Sequence, residues 1–392
     1  MTLTNFDMIP YGKQDINQSD IEAVISVLKS DFLTQGPQVP LFEYNVSNYC
    51  NAQYGVAVNS ATSALHVACL ALGLGKDDWL WTSPNSFVAS ANCGLYCGAK
   101  VDFIDIDPKT YNLSVEELKK KLIQAKKDNK LPKIVITVHF AGQSCDMQSI
   151  HKLSKEFGFK ILEDASHAIG GKYLDKPIGG CQYSDITVFS FHPVKIITTA
   201  EGGLATTNQK ELADKMKLFR AHGITREPKL MTKKTEGGWY YQQVELGFNY
   251  RMNDLQAALG IAQMKRLDKF ITIRHSLKQR YDELLKDLPL ITPAQSLDSY
   301  SSLHLYPVQL KLEHLSKAHN QIFDELRKSG VGVNLHYIPI HLQPYFKNMG
   351  FKKGNFPKAE DYYSRAISIP IYQGLTTELQ DKVVAVLKDL LI

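Results

Sequence analysis

The sequence contains no run of the roughly 18 apolar residues that a membrane-crossing helix needs, which excludes a helical transporter or pore. Its first residues, MTLTNFDMIPYGKQ, lack the basic and apolar blocks of a secretory leader, so a cytoplasmic protein is expected. There is no Cys-x-x-Cys pair and no histidine spacing suited to zinc; Cys50, Cys69, Cys93, Cys97, Cys145 and Cys181 are scattered and read as reduced and mostly buried. Cys93 and Cys97 could share a helix face, but two thiolates make half a site, so no metal is expected. No basic arm or stripe is present either. The 45 Lys and Arg residues are dispersed among 40 Asp and Glu, giving a net charge of +5, and there is no recognition helix, so neither nucleic acid nor a membrane is an expected partner. Repeats, low-complexity tracts and long Pro/Ser linkers are absent as well.

What is present is apolar residue in quantity: 44% of 392 residues, enough for two cores. Between about residues 55 and 207, short apolar runs alternate with helical patterns: YGVAVNS then ATSALHVACLAL, WLWTSPNSF then VASANCGLYCG, and later KIVITVHF, FKILEDA, DITVFSF and GGLATT. This alternation predicts an α/β fold with a mostly parallel sheet covered on both faces. Near residue 253 the pattern changes to a long amphipathic segment with Asn253 and Asp254 as candidate caps. The expected division is therefore 1–251, a large domain, and 252–392, a small α+β domain.

Ligands of parallel sheets bind beyond the carboxyl ends of the strands, and four positions of that kind stand out. NSATSA (59–64) is a strand-to-helix turn of small residues, able to offer unpaired N–H groups, the helix dipole and the Thr62 hydroxyl to a phosphate, or to serve as a simple cap. Asp164 ends FKILED; it can hold a proton on a ring nitrogen, as pyridoxal phosphate (PLP) requires, or cap the next turn, and His167 just after it is equally open between a catalytic and a structural role. Lys195, in FSFHPVKIITTAEGG after Ser190, can form a Schiff base if burial lowers its pKa, although an isolated lysine is ordinarily a solvated surface group. Phe87, past the strand in SPNSFVASAN, can stack on a planar ring or belong to the core. A phosphate cradle, a stacking aromatic, a carboxylate and a lysine in that chain order together form one PLP site.

NSATSALHVA, PNSFVASAN, EDASHAIGG, FSFHPVKIITTAEGG and LGFNYRMNDLQAALG together resemble the DegT/DnrJ/EryC1/StrS sugar aminotransferases over nearly the whole chain. The resemblance implies the fold-type I architecture of PLP-dependent transferases. It implies further that Lys195 carries the cofactor, Asp164 pairs with the pyridine nitrogen, Phe87 covers the ring and His167 lies near the ring oxygen. Ala61, Thr62 and Ser190 would hold the phosphate, with Asn249 reaching over from the partner subunit of a homodimer whose active sites are shared. By the same resemblance Tyr11, the loop Asp31, Phe32, Leu33 and Thr34, and the segment His336, Tyr337, Ile338 and Pro339 would line a sugar-nucleotide site. Dehydrating members carry histidine in place of the cofactor lysine, so Lys195 favours transamination.

MIPYGKQDINQSDIEAVISVLKSDFLTQGP, LFRAHGITREP and VNLHYIPIHLQPYF are similar to the branch acting in pseudaminic acid synthesis. That likeness implies transfer from L-glutamate, with pyridoxamine phosphate formed in between, to C4 of a UDP-4-keto-6-deoxy-N-acetylhexosamine, giving UDP-4-amino-4,6-dideoxy-N-acetyl-β-L-altrosamine. Two alternatives stay open: the same chemistry on a dTDP- or GDP-linked keto sugar, and a PLP-binding regulator without turnover. The aromatic loop MTKKTEGGWYYQQ (231–243) is left unassigned between covering the acceptor and packing on a partner.

Overall fold

The computed structural model describes residues 8–392. Its framework is a seven-stranded sheet: β1 (Tyr54–Val58), β2 (Trp79–Thr82), β3 (Lys100–Phe103), β4 (Ile134–Val138), β5 (Lys160–Asp164), β6 (Ile186–Ser190) and β7 (Gly203–Thr207), in the order β1-β7-β6-β5-β4-β2-β3. The β3-β2-β4-β5-β6 block is parallel, while β7 runs antiparallel to both β6 and β1. All residues of β4, β6 and β7 are buried, as expected of strands covered on both faces. The chain is thus α/β with a mainly parallel central sheet. Because β1, β5 and β6 point the same way, Ser60, Asp164 and Ser190 emerge at one edge of the sheet, where the antiparallel β7 enters with Gly203.

The first four helices are α1 (Gln18–Leu28), α2 (Gln38–Cys50), α3 (Ala61–Ala71) and α4 (Ala89–Tyr96), of which α3 begins directly after β1. The Asp254–Met264 helix begins where the sequence places a domain change, and Asn253 and Gln256 form a capping box. Asp254, however, does not cap its own helix. It is fully buried and accepts the Gly36 and Gln38 N–H groups, each at 3.1 Å, which ties the helix to the start of α2.

Core membership changes along the next helix, Leu267–Leu285. Its first turns put Leu267, Phe270 and Ile271 into a core with Phe42, Phe189 and Phe191, and its later turns put Leu277, Tyr281 and Leu285 into another with Tyr306, Val308 and Ile369. We therefore place the division between the domains inside this helix, later than residue 251: one uninterrupted helical pattern serves both cores. The second unit holds the antiparallel strands Leu290–Ile291, Tyr306–Leu310 and Ala366–Ile369, and Ile9 joins its core through a bridge to Val331. Among the described residues no helix is long and apolar enough to cross a membrane.

Candidate active site

A cavity of about 780 Å³ opens at the strand-end edge. At one wall, α3 begins. Ser60 accepts the Ser63 N–H at 3.1 Å, and the Ser63 hydroxyl donates to Asn59 Oδ1 at 2.6 Å, which fixes the turn. The cap takes up Ser63 N–H, and among the described residues the Ala61 and Thr62 N–H groups at the cavity have no partner. Glycine at 203 allows β7 to pass this close, since a Cβ there would lie 2.5 Å from Ala61 N. A helix start with unpaired N–H groups attracts an anion, and Thr62 and Ser190 line the same space.

Asp164 forms the floor. It is buried, and its carboxylate accepts the Ser90 hydroxyl at 2.6 Å and the Ser166 N–H at 3.1 Å. Ser90, in the first turn of α4, is itself held at 2.7 Å by Ser86 of the loop before that helix. No Lys or Arg forms a salt bridge with Asp164 among the described residues. Lys195 sits in the turn after β6, its N–H donating to His192 O at 2.9 Å. It lines the cavity as the sole Lys or Arg of the lining among the described residues. Burial disfavours its charge and lowers its pKa to about 8, against the opposing pull of Asp164. Roughly a tenth of the amine is then neutral at pH 7, enough to serve as a nucleophile.

The third wall comes from the second domain. Tyr337 donates to or accepts from His167 Nε2 at 3.0 Å, and its N–H donates to Asn85 Oδ1 at 3.2 Å, which pins the 334–339 segment to the loop after β2. His336 is held by Ser368 at 2.9 Å, with the Tyr11 ring 5.4 Å away. Burial, with Lys195 nearby, lowers the pKa of His336 to about 3; burial likewise holds His167 and His304 well below the usual histidine range. Burial thus disfavours the charged form of all three rings. Phe87 stands beside Tyr337 at a ring separation of 6.4 Å and leaves 59% of its surface exposed, an open apolar face at the cavity.

The structure thus gathers Tyr11, Ala61, Thr62, Phe87, Asp164, His167, Ser190, Lys195, His336 and Tyr337 around one space. Asp31, Phe32, Leu33 and Thr34 lie exposed outside its lining, as does Asn249, whose backbone bridges Ala221. Ile338 and Pro339 also fall outside: Ile338 is exposed and Pro339 buried. Sequence reasoning missed Asn59, Glu201, His304 and Asn334, which do line the cavity. Asn59 and Glu201 lie inside motifs already singled out, without having been assigned a role there; His304 precedes an apolar strand and gave no separate signal.

The model of the DegT/DnrJ/EryC1/StrS aminotransferase family matches residues 14–388. A Campylobacter jejuni protein named UDP-4-amino-4,6-dideoxy-N-acetyl-beta-L-altrosamine transaminase is 37% identical over 94% of this chain and 93% of its own. A Helicobacter pylori aminotransferase involved in the biosynthesis of pseudoaminic acid superposes with a TM-score of 0.89 at 31% identity, covering 98% of this chain and 99% of that one. A candidate sugar aminotransferase from Streptococcus pneumoniae, in its PLP form, superposes with a TM-score of 0.87 at 28% identity over 98% and 100% of the two chains.

The donor set fits pyridoxal 5′-phosphate. The unpaired N–H groups at the α3 start suit its phosphate, and the Asp164 carboxylate, without a cation of its own, suits a protonated ring nitrogen. His167 also keeps Nδ1 buried without a partner among the described residues, a polar atom beside the space that such a ring would fill.

Proposed function

Because the chain belongs to the DegT/DnrJ/EryC1/StrS aminotransferase family and uses pyridoxal phosphate, we propose that it transfers the amino group of L-glutamate to C4 of a UDP-4-keto-6-deoxy-N-acetylhexosamine, giving UDP-4-amino-4,6-dideoxy-N-acetyl-β-L-altrosamine. The observation that carries this reading is the meeting of Lys195 and Asp164 in one cavity with the start of α3. Likeness to proteins of that name and role supports the sugar.

Bound pyridoxal phosphate supplies a ring that accepts electrons from the carbon bearing the transferred nitrogen. The residues of the chain do the rest. The Ala61 and Thr62 N–H groups with the Thr62 and Ser190 hydroxyls hold the phosphate, and Phe87 covers one ring face. Asp164, aligned by Ser90 and Ser166, keeps a proton on the ring nitrogen. Lys195 anchors the cofactor and, once released as a free amine, moves a proton at its Nζ. Amino transfer runs in two halves, out of glutamate and then into the keto sugar, and Lys195 serves both. Tyr11 and the His336–Tyr337 segment face the sugar. We place the partner subunit's Asn249 at the phosphate, in keeping with its position outside the cavity of its own chain.

Incubation with L-glutamate and the UDP-linked keto sugar, followed by NMR of the product, tests the substrate. Amination at C4 with the altro configuration is expected. Amination confined to dTDP- or GDP-linked keto sugars would overturn the assignment while leaving the reaction class in place.

A further inference from the structure

The Leu267–Leu285 helix changes the core it serves at Arg274, between Ile271 on one side and Leu277 on the other. Arg274 is wholly buried, and its guanidinium donates only to neutral oxygens: the carbonyls of Leu303 at 3.0 Å, His304 at 3.3 Å and Ile371 at 3.0 Å, and Gln373 Oε1 at 3.1 Å. Among the described residues the arginine salt bridges belong to Arg220, Arg266, Arg280 and Arg365, so this buried cation has no carboxylate partner. A buried charge without a counter-ion is costly, and an apolar side chain of similar volume fills such a place at less expense. What the guanidinium does that an apolar side chain cannot is gather carbonyls from two separate segments with one planar fork.

Both segments lead to the cavity. The first, 301–305, crosses between the domains: Ser299–Tyr300 pairs with Lys172–Tyr173 of the first, and Tyr306–Leu310 lies in the sheet of the second. Within it Leu303 takes a left-handed φ of 52°, a conformation that persists only with support from its surroundings. Its N–H donates to Ser301 Oγ at 3.0 Å, and its carbonyl accepts from Arg274. The Ser302 hydroxyl donates to His167 O at 2.7 Å. His304 follows and lines the cavity, its ring 4.5 Å from that of His167. The second segment, 371–373, comes after the strand Ala366–Ile369, and the Ile371 N–H donates to Tyr11 O at 3.1 Å. Tyr11 lines the same cavity, so one buried side chain stands behind two of its residues.

Given the amino transfer proposed above, on which this role rests, we propose that Arg274 is a positioning residue for the keto-sugar side of the site, fixing the backbone of His304 directly and that of Tyr11 through Ile371. Asp164, Lys195 and the start of α3 follow strands of the central sheet, and none of the hydrogen bonds of Arg274 reaches them. The effect of disturbing Arg274 therefore falls on the sugar half of the reaction and spares cofactor binding and the glutamate half.

The test compares wild type with Arg274→Lys as holoenzymes; lysine keeps the charge but replaces the fork by one ammonium, which cannot hold both segments. Cofactor absorbance and its bleaching by L-glutamate should be unchanged, while KM for the keto sugar rises about tenfold and kcat stays within about threefold. In a chain that already carries Tyr11→Ala and His304→Ala, the same substitution should raise KM by less than about twofold. An unchanged KM, a loss of kcat alone, or an undiminished KM increase in the doubly truncated chain would each overturn the proposal. Hydrogen exchange needs no substrate: in Arg274→Lys it should run on the order of tenfold faster at 8–12, 301–305 and 370–374 and be unchanged at 160–166. Equal exchange throughout would overturn the role whatever the substrate, whereas faster exchange in a protein that aminates no keto sugar would fault the amino-transfer reading alone. Should Arg274→Lys not fold, Gln373→Met removes a guanidinium partner and should raise KM about threefold; an unchanged KM there would overturn the role.

Discussion

Glu163 and Asp164 are neighbours on β5, both buried carboxylates, yet the alternation of a strand sends them to opposite faces and into opposite circumstances. Glu163 is enclosed by donors: His139 Nε2 at 2.6 Å, the Thr187 hydroxyl at 2.8 Å and the Ser184 hydroxyl. The Cys145 N–H donates to His139 Nδ1 at 3.2 Å, which leaves Nε2 as the protonated ring nitrogen facing Glu163. Burial alone would raise the pKa of Glu163, but His139 with the two hydroxyls brings it below the ordinary value. Among the described residues Asp164 has only Ser90 and Ser166, and it faces the cavity. The pair shows how a carboxylate that completes the interior differs from one left with capacity for a ligand: the distinction lies in the donors already spent.

Variants can break or sharpen that contrast. The largest effect is expected at Lys195, which lines the same cavity as Asp164: Lys195→Ala should reduce turnover by about 10⁴-fold or more and abolish the visible absorbance of a lysine-linked cofactor. Near-normal activity in a continuous assay would remove Lys195 from the mechanism. Asp164→Asn should retain cofactor and lose about 10²–10³-fold in kcat. Glu163→Gln should behave in the opposite manner, with near-normal kcat and a stability loss of about 1.5–3 kcal/mol in denaturant titration. Its pH dependence follows from the depressed pKa: wild type keeps the Glu163 contribution above the usual carboxylate range and loses it as pH falls through the lowered value, and the variant should show a flatter acid limb. The smallest change belongs to Ser90→Ala, about tenfold or less in kcat, because Ser166 still orients Asp164. In the apoenzyme, cofactor capture should accelerate as pH rises through about 8 and level off beyond, as Lys195 loses its proton.

Much of this arrangement was legible in the sequence, for reasons visible in particular residues. Asp164, Ser190 and the Ser60–Thr62 turn follow apolar runs, and parallel strands must deliver their ends to one edge, so chain order was enough to gather them. FKILED announces two terminal carboxylates, and only the resemblance and the tertiary donors separate Glu163 from Asp164. Tertiary closure is less accessible. His304 and Asn334 reach the cavity because the second domain folds back against the loop after β2, a contact with no local signature. A domain division near residue 251 is hard to read for a related reason: the Leu267–Leu285 helix keeps its period while changing the core it serves.

The central claim is that Asp164, and not its neighbour, holds the ring nitrogen in its protonated state. Nitrogen NMR of the enzyme loaded with ¹⁵N-labelled pyridoxal phosphate reads that proton directly. The account predicts a protonated ring nitrogen in wild type and in Glu163→Gln, and an unprotonated one in Asp164→Asn. An unprotonated nitrogen in wild type, or a protonated one that survives Asp164→Asn, would contradict it.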